Sequence, residues 1–119
     1  MNKTKKQIIA RHIEICDQIQ ERYSAFVMPR VVWQYNHMCK IFGLAWHNGR
    51  KIAYDVVALR ANPLLIEQIV AHELAHCVVS QVMGDRGTHH GYRWRRVMME
   101  LGYAPQVEII KYNKWSKAG

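Results

Sequence analysis

The feature that most constrains this chain is its longest apolar stretch, residues 64–83, because Glu67, His72, Glu73 and His76 interrupt it. A bilayer span of about 20 apolar residues does not tolerate that polar load, so the stretch reads as an internal helix of a folded domain, not as a membrane segment. Asn62 and Pro63 supply its start, an N-cap followed by a ring whose fixed φ suits the first helical turn, and Gly84 follows its end. Two imidazoles and a carboxylate are costly to bury in such a helix unless a partner satisfies them. Any fold this chain adopts must bring that partner to His72, Glu73 and His76.

The spacing indicates which partner. In His72-Glu73-Leu74-Ala75-His76 the two histidines stand at i and i+4. That spacing puts both imidazoles one turn apart on one helix face, able to reach a single ion, in the HExxH arrangement. A carboxylate beside the first histidine can take a proton from water as it attacks a carbonyl, so Glu73 is the candidate general base. Zinc in a hydrolytic site takes three protein ligands and leaves one position open. The metzincin pattern would place Gly at 79 and His at 82, but the chain has Val79 and Val82. Two sources of a third ligand remain, the His89-His90 pair and Glu100. Gly91 lets the backbone around His90 approach closely. Glu100 lies about 15 Å from His90 along a helix that begins near Gly91, so the two cannot serve one ion. His89 reads equally as a substrate-facing residue and as an exposed loop histidine.

The rest of the chain reads as a small α+β domain spanning residues 1–119. Ile8, Ile9, His12, Ile13, Cys16, Ile19, Tyr23 and Phe26 recur at helical spacing behind a Thr4/Gln7 capping box, and Pro29 ends the segment. β-branched and aromatic residues then mark strands at 31–35, 44–47 and 51–57, expected to form a short antiparallel sheet, with Asn48-Gly49 as a type I′ hairpin turn. A third helix places Trp94, Val97, Met98 and Leu101 on one face and ends near Gly102. A short strand at 107–112 and a frayed terminus at 113–119 complete the expectation.

Composition narrows the function classes. Half of the 119 residues are hydrophobic and 22% are charged, which suits a packed core and not a disordered polyelectrolyte. Only three apolar residues, Ile8, Ile9 and Ala10, lie between Lys6 and Arg11, too few for a signal-peptide apolar core. Cys16, Cys39 and Cys77 include no CxxC pair, which argues against a disulfide framework or a thiolate zinc knuckle and for a reducing cytoplasm. Cys77, His12, His37 and His47 read as structural. The formal net charge is +8. Arg93, Arg95 and Arg96 beside the site and Lys111, Lys114 and Lys117 downstream would suit phosphate neutralisation, and Trp33, Trp46 and Trp115 would suit stacking on single-stranded DNA. The competing reading makes Trp33 and Trp46 core aromatics and the basic residues a solvated surface. Tyr92, His89 or Arg93 would serve as an oxyanion donor. The sequence leaves the oligomeric state open.

The HExxH segment, together with His90-Gly91-Tyr92-Arg93-Trp94 and Met98, resembles the two signatures of the SprT-like metallopeptidases, a family that includes DNA–protein crosslink proteases. The resemblance covers residues 31–106. It implies zinc held by His72, His76 and His90, Glu73 as general base, and Trp94 and Met98 packed beneath the metal. It also implies a zinc-dependent endopeptidase acting on DNA-bound or crosslinked proteins, with a non-catalytic, zinc-stabilised DNA-binding module as the alternative. Many relatives carry a C-terminal zinc ribbon with CxxC pairs; this sequence has none, so the expectation is a minimal catalytic domain. Zincin substrates lie extended along an edge strand, here residues 44–47 or 51–57.

Overall fold

The computed structural model of the chain describes residues 2–35, 41–84 and 90–107. Helix α1 (Lys3–Arg22) begins at Asn2, whose side-chain oxygen accepts a hydrogen bond from the Lys5 amide at 2.8 Å. The cap is therefore Asn2 and not Thr4, which is buried on the inner face with Ile8, His12, Ile15, Cys16 and Ile19. Asn caps at least as well as Thr, and the earlier start frees Thr4 to pack. Ile13, expected inside, is turned about 100° from His12 and is 45% exposed. The helix stops at Arg22, well before Pro29, so Phe26 is buried by the following loop and not by a last helical turn.

Among the described residues three strands form one sheet, β1 (Arg30–Gln34), β2 (Gly43–Ala45) and β3 (Lys51–Asp55), in the order β1-β3-β2. The β2–β3 hairpin is antiparallel as expected, but β1 runs parallel to β3, pairing Val31 with Ile52 and Trp33 with Tyr54. The sheet is thus mixed. β3 carries Ile52, Ala53, Tyr54 and Asp55, all buried, and the most buried strand takes the centre, where both faces are covered. The chain from β1 to β3 is long enough for the crossover that parallel pairing needs. In the hairpin, the Gly49 amide donates to the Trp46 carbonyl at 2.9 Å, so the central pair is His47-Asn48, one residue earlier than expected. Gly49 follows at φ 69°, the left-handed residue that lets such a turn rejoin its strand.

Residues 56 and 57 do not extend β3. Asp55 accepts a hydrogen bond from the Ala58 amide at 3.0 Å and caps a short helix, α2 (Val56–Ala61). Asn62 closes α2, donating its side-chain amide to the Ala58 carbonyl at 2.9 Å, and so does not cap the next helix. Pro63–Leu65 make a single 3₁₀ turn, α3 runs Ile66–Val78, and Val79–Met83 continue as a π-helical turn that ends at Gly84 with φ 66°. Helix α4 (Tyr92–Glu100) buries Trp94, Val97 and Met98, the expected face.

Every residue from 69 to 79 is buried, because α3 lies between α1, β2 and α4. The side chain of Gln81 ties this helix to its surroundings. It accepts from the Val27 amide at 2.9 Å and donates to the Val27 carbonyl at 2.8 Å and the Gly49 carbonyl at 2.6 Å. No helix among the described residues is long and apolar enough to cross a membrane. His37, Cys39, His89, Trp115 and the strand and terminus expected after residue 107 lie outside the described residues.

Candidate metal centre

The i, i+4 spacing on α3 places His72 and His76 on one face, with ring centroids 5.1 Å apart. Both are buried, His72 completely and His76 to 9% exposure. His90, at the entry to α4, meets them from the other side. Its Nε2 stands 3.1 Å from Nε2 of His72 and 3.1 Å from Nε2 of His76. Among the described residues these three form a group whose donor atoms all lie within 4.8 Å of one another. Nitrogens bound at about 2.0–2.1 Å around a tetrahedral ion stand about 3.3 Å apart, so the observed separations fit a small divalent cation held by three imidazoles. The donor set is all nitrogen and borderline-soft, which suits zinc better than the oxygen-seeking magnesium or calcium.

Glu100, the rival third ligand, is held elsewhere. It accepts a hydrogen bond from the Tyr23 hydroxyl at 2.6 Å and pairs with Arg96 at 3.2 Å and Arg22 at 3.7 Å, joining α4 to the end of α1. Arg96 is thereby engaged on the side away from the imidazoles, while Arg95 is exposed.

Glu73 is fully buried and faces β2. The fit is close enough that a β carbon on Gly43 would lie 3.0 Å from Glu73 Cγ. Tyr54 and Cys77 lie within range of the same carboxylate. Burial and the Glu73 charge push both the Tyr54 phenol and the Cys77 thiol well above their ordinary values. Cys77 is therefore a protonated core residue, as its position 100° around the helix from His76 implies. Burial, with the nearby Asp17 charge, pushes Cys16 up to about 12.

His12 is buried and structural, as read. Its Nε2 lies 2.9 Å from the Pro29 carbonyl, which can only accept, so Nε2 carries the proton and Nδ1 accepts from the Tyr54 hydroxyl at 3.0 Å. That link between α1, the entry to β1 and the centre of the sheet is not legible in the sequence, since nothing local pairs His12 with Tyr54.

Beneath the triad lies Trp94, completely buried, with its indole N–H donating to the His72 carbonyl at 3.1 Å. Trp33 is half-buried, whereas Trp46, expected in the core, is 36% exposed on the hairpin with the Lys51 ammonium 4.6 Å from its ring centroid. Tyr92 is 68% exposed, its ring 5.0 Å from the Arg93 guanidinium.

Comparison with known proteins gives the arrangement a family. The chain is 34% identical over 103 residues to Protein SprT of Pasteurella multocida, covering 83% of this chain and 61% of that protein. It is 31% identical over 117 residues to Protein SprT of Actinobacillus succinogenes (96% and 67%) and 28% identical over 107 residues to that of Pseudomonas putida (89% and 65%). The chain thus spans about two thirds of the length of these curated relatives. No solved structure matches it. The SprT-like family model matches residues 12–113, which include α3, His90 and α4, and the chain accordingly belongs to the SprT-like family.

Proposed function

We propose that the protein is a zinc-dependent endopeptidase of the SprT-like type, with residues 1–119 acting as a single catalytic domain. The observation that carries this reading is the convergence of three imidazole Nε2 atoms beside a buried glutamate that abuts the strand β2. His72, His76 and His90 are the proposed zinc ligands. Bound there, zinc would lower the pKa of water and polarise the scissile carbonyl. Glu73 takes the proton from the attacking water and passes it to the departing amine as the C–N bond breaks. Its burial keeps bulk water from competing for that proton, and Gly43 fixes its position from the sheet side.

The substrate backbone adds to β2. Among the described residues β2 pairs on one side only, with β3, whereas β3, the other candidate edge, is central. Binding of this kind reads backbone more than side chain, so cleavage has loose sequence preference. The substrates we propose are DNA-bound or crosslinked proteins in the cytoplasm. The +8 charge supports this, as do exposed aromatic–cation pairs at Trp46 and Lys51 and at Tyr35, where the Lys5 ammonium lies 4.9 Å from the ring centroid.

The same exposed pairs favour a second reading, a zinc-stabilised module that binds single-stranded DNA without cleaving protein. One experiment separates the two. Wild type and Glu73→Gln are assayed for cleavage of an unfolded protein and of a DNA-crosslinked protein and for binding of single-stranded DNA across a salt series, with zinc content measured for each. Cleavage by the wild type alone, at equal zinc, supports the endopeptidase. Salt-sensitive DNA binding by both, with cleavage by neither, supports the module.

A further inference from the structure

We propose that Trp94 is the positioning residue of the metal centre, setting the orientation of all three imidazoles; the proposal rests on the reading that the triad holds zinc. One indole is in ring contact with every member of the triad. It meets His72 edge-on at 4.7 Å between centroids, meets His90 edge-on at 4.7 Å, and stacks on His76 at 5.6 Å with planes 25° apart. Three histidines on two elements have broad, soft χ2 torsions of their own. A flat, rigid surface touching all three removes that freedom at once.

The indole is itself fixed by a bond to a ligand residue. Trp94 Nε1–H donates to the backbone carbonyl of His72 within the core. That carbonyl sits inside α3, where its first lone pair belongs to the helix ladder, so the indole takes the second. Trp94 stands four residues after His90, and its N–H therefore sets the height of α4 against α3 at the level of the ligand pair. A residue that merely filled space would need neither the bond nor the three ring contacts. Groups that orient the ligands of a metal typically change its affinity 10- to 100-fold when lost.

The test uses the full chain. Zinc dissociation constants are measured by chelator competition for wild type, Trp94→Phe and Val97→Ala, together with the visible d–d spectrum of the cobalt(II)-loaded forms and the melting temperature of the metal-free forms. Val97 is buried on the same helix, so its truncation costs core packing without touching the bond from the indole to His72. Trp94→Phe is expected to weaken zinc about 10-fold or more and to shift the cobalt spectrum, whereas Val97→Ala lowers the melting temperature and changes zinc affinity less than about threefold. Equal zinc affinity in wild type and Trp94→Phe, or an equal loss in Val97→Ala, overturns the proposal. Should Trp94→Phe fail to fold, wild type labelled with ¹⁵N-tryptophan decides. The most slowly exchanging indole N–H should shift in proportion to zinc up to one equivalent, and a signal that does not move overturns the proposal. A wild type that binds no zinc at all overturns the metal reading, and this one with it.

Discussion

Gly43 lies so close to Glu73 that a β carbon on it would stand 3.0 Å from Cγ and 3.3 Å from Oε2 of the glutamate, and 3.3 Å from the Ala53 carbonyl oxygen. The need for glycine here is close approach and not backbone conformation, since the positive-φ glycines among the described residues are Gly49, Gly84 and Gly102. Gly43→Ala must displace either the glutamate or the edge strand. The shift needed is a few tenths of an ångström, and since about 1 Å of misplacement near reacting atoms costs on the order of 100-fold in rate, a shift of this size costs roughly several-fold. We expect Gly43→Ala to bind zinc as the parent does while losing most of its cleavage activity, measured as kcat/KM on an unfolded protein at known zinc content.

Glu73→Gln should separate chemistry from metal binding more sharply. The amide keeps the volume and removes the base, and loss of a general base typically costs about 10²- to 10⁴-fold. Glu73 is completely buried and glutamine fills the same volume, so the melting temperature should change little. Cleavage at the parental rate would remove Glu73 from the mechanism.

Gln81 predicts a stability effect remote from the chemistry. Its side chain makes three hydrogen bonds, two to Val27 and one to Gly49, that join the end of α3 to the loop after α1 and to the hairpin. Water can replace the two exposed bonds to Val27, so the loss comes mainly from the part-buried bond to Gly49 and is about 0.5–1.5 kcal/mol. Urea unfolding of Gln81→Ala should show a loss of that size. Gly49→Ala should be worse, because its β carbon would meet the Cys77 carbonyl oxygen at 2.8 Å at a φ of 69°.

The contrast between Gln81 and the HExxH pair shows what a sequence makes legible. His72 and His76 are placed by helical periodicity alone, and polar groups within an apolar run declare themselves. His90 needed the resemblance, because joining it to α3 depends on a loop closure that spacing does not encode. The parallel pairing of β1 and the bonds from Gln81 and His12 depend on residues far apart in the chain. A polar side chain such as Gln81 reads as solvent-facing until the fold supplies its partners. α2 is not legible in the sequence although Asp55 caps it, since β-branched Val56 and Val57 continue a strand pattern and only tertiary packing overrides it.

His12 gives the pH dependence a sign. Burial lowers its pKa below the ordinary value of 6.5, outweighing the hydrogen bond to Pro29, and its bonding requires the neutral ring. Above pH 6.5 the ring is neutral in both folded and unfolded chains, and stability is full. Below 6.5 the unfolded chain takes up a proton that the folded one resists, so stability falls as the pH falls toward the lowered folded value. Melting temperatures of the metal-free protein between pH 8 and pH 5 should decline. His12→Gln, less stable throughout, should decline less steeply, and parallel curves would show that His12 does not contribute.

Removal of zinc should destabilise the fold through His90 specifically. His72 and His76 share one helix, so an ion bound by them alone crosslinks nothing; His90 makes the ion a tie between α3 and the entry to α4. Binding to the folded state at 100 times Kd adds about 2.7 kcal/mol, which in a domain of this size corresponds to a melting shift of about 10 °C. A chelator should therefore lower the melting temperature of the parent by about that much. His90→Ala should abolish most of the shift while leaving the metal-free melting temperature nearly unchanged, because His90 is only half-buried and lies outside the main core. Glu100→Ala should do the reverse: it breaks the Tyr23 and Arg96 contacts and lowers stability, yet keeps the parent's response to the chelator. If the two variants exchange these behaviours, the third ligand is the carboxylate on α4 and the geometry at His90 has another purpose.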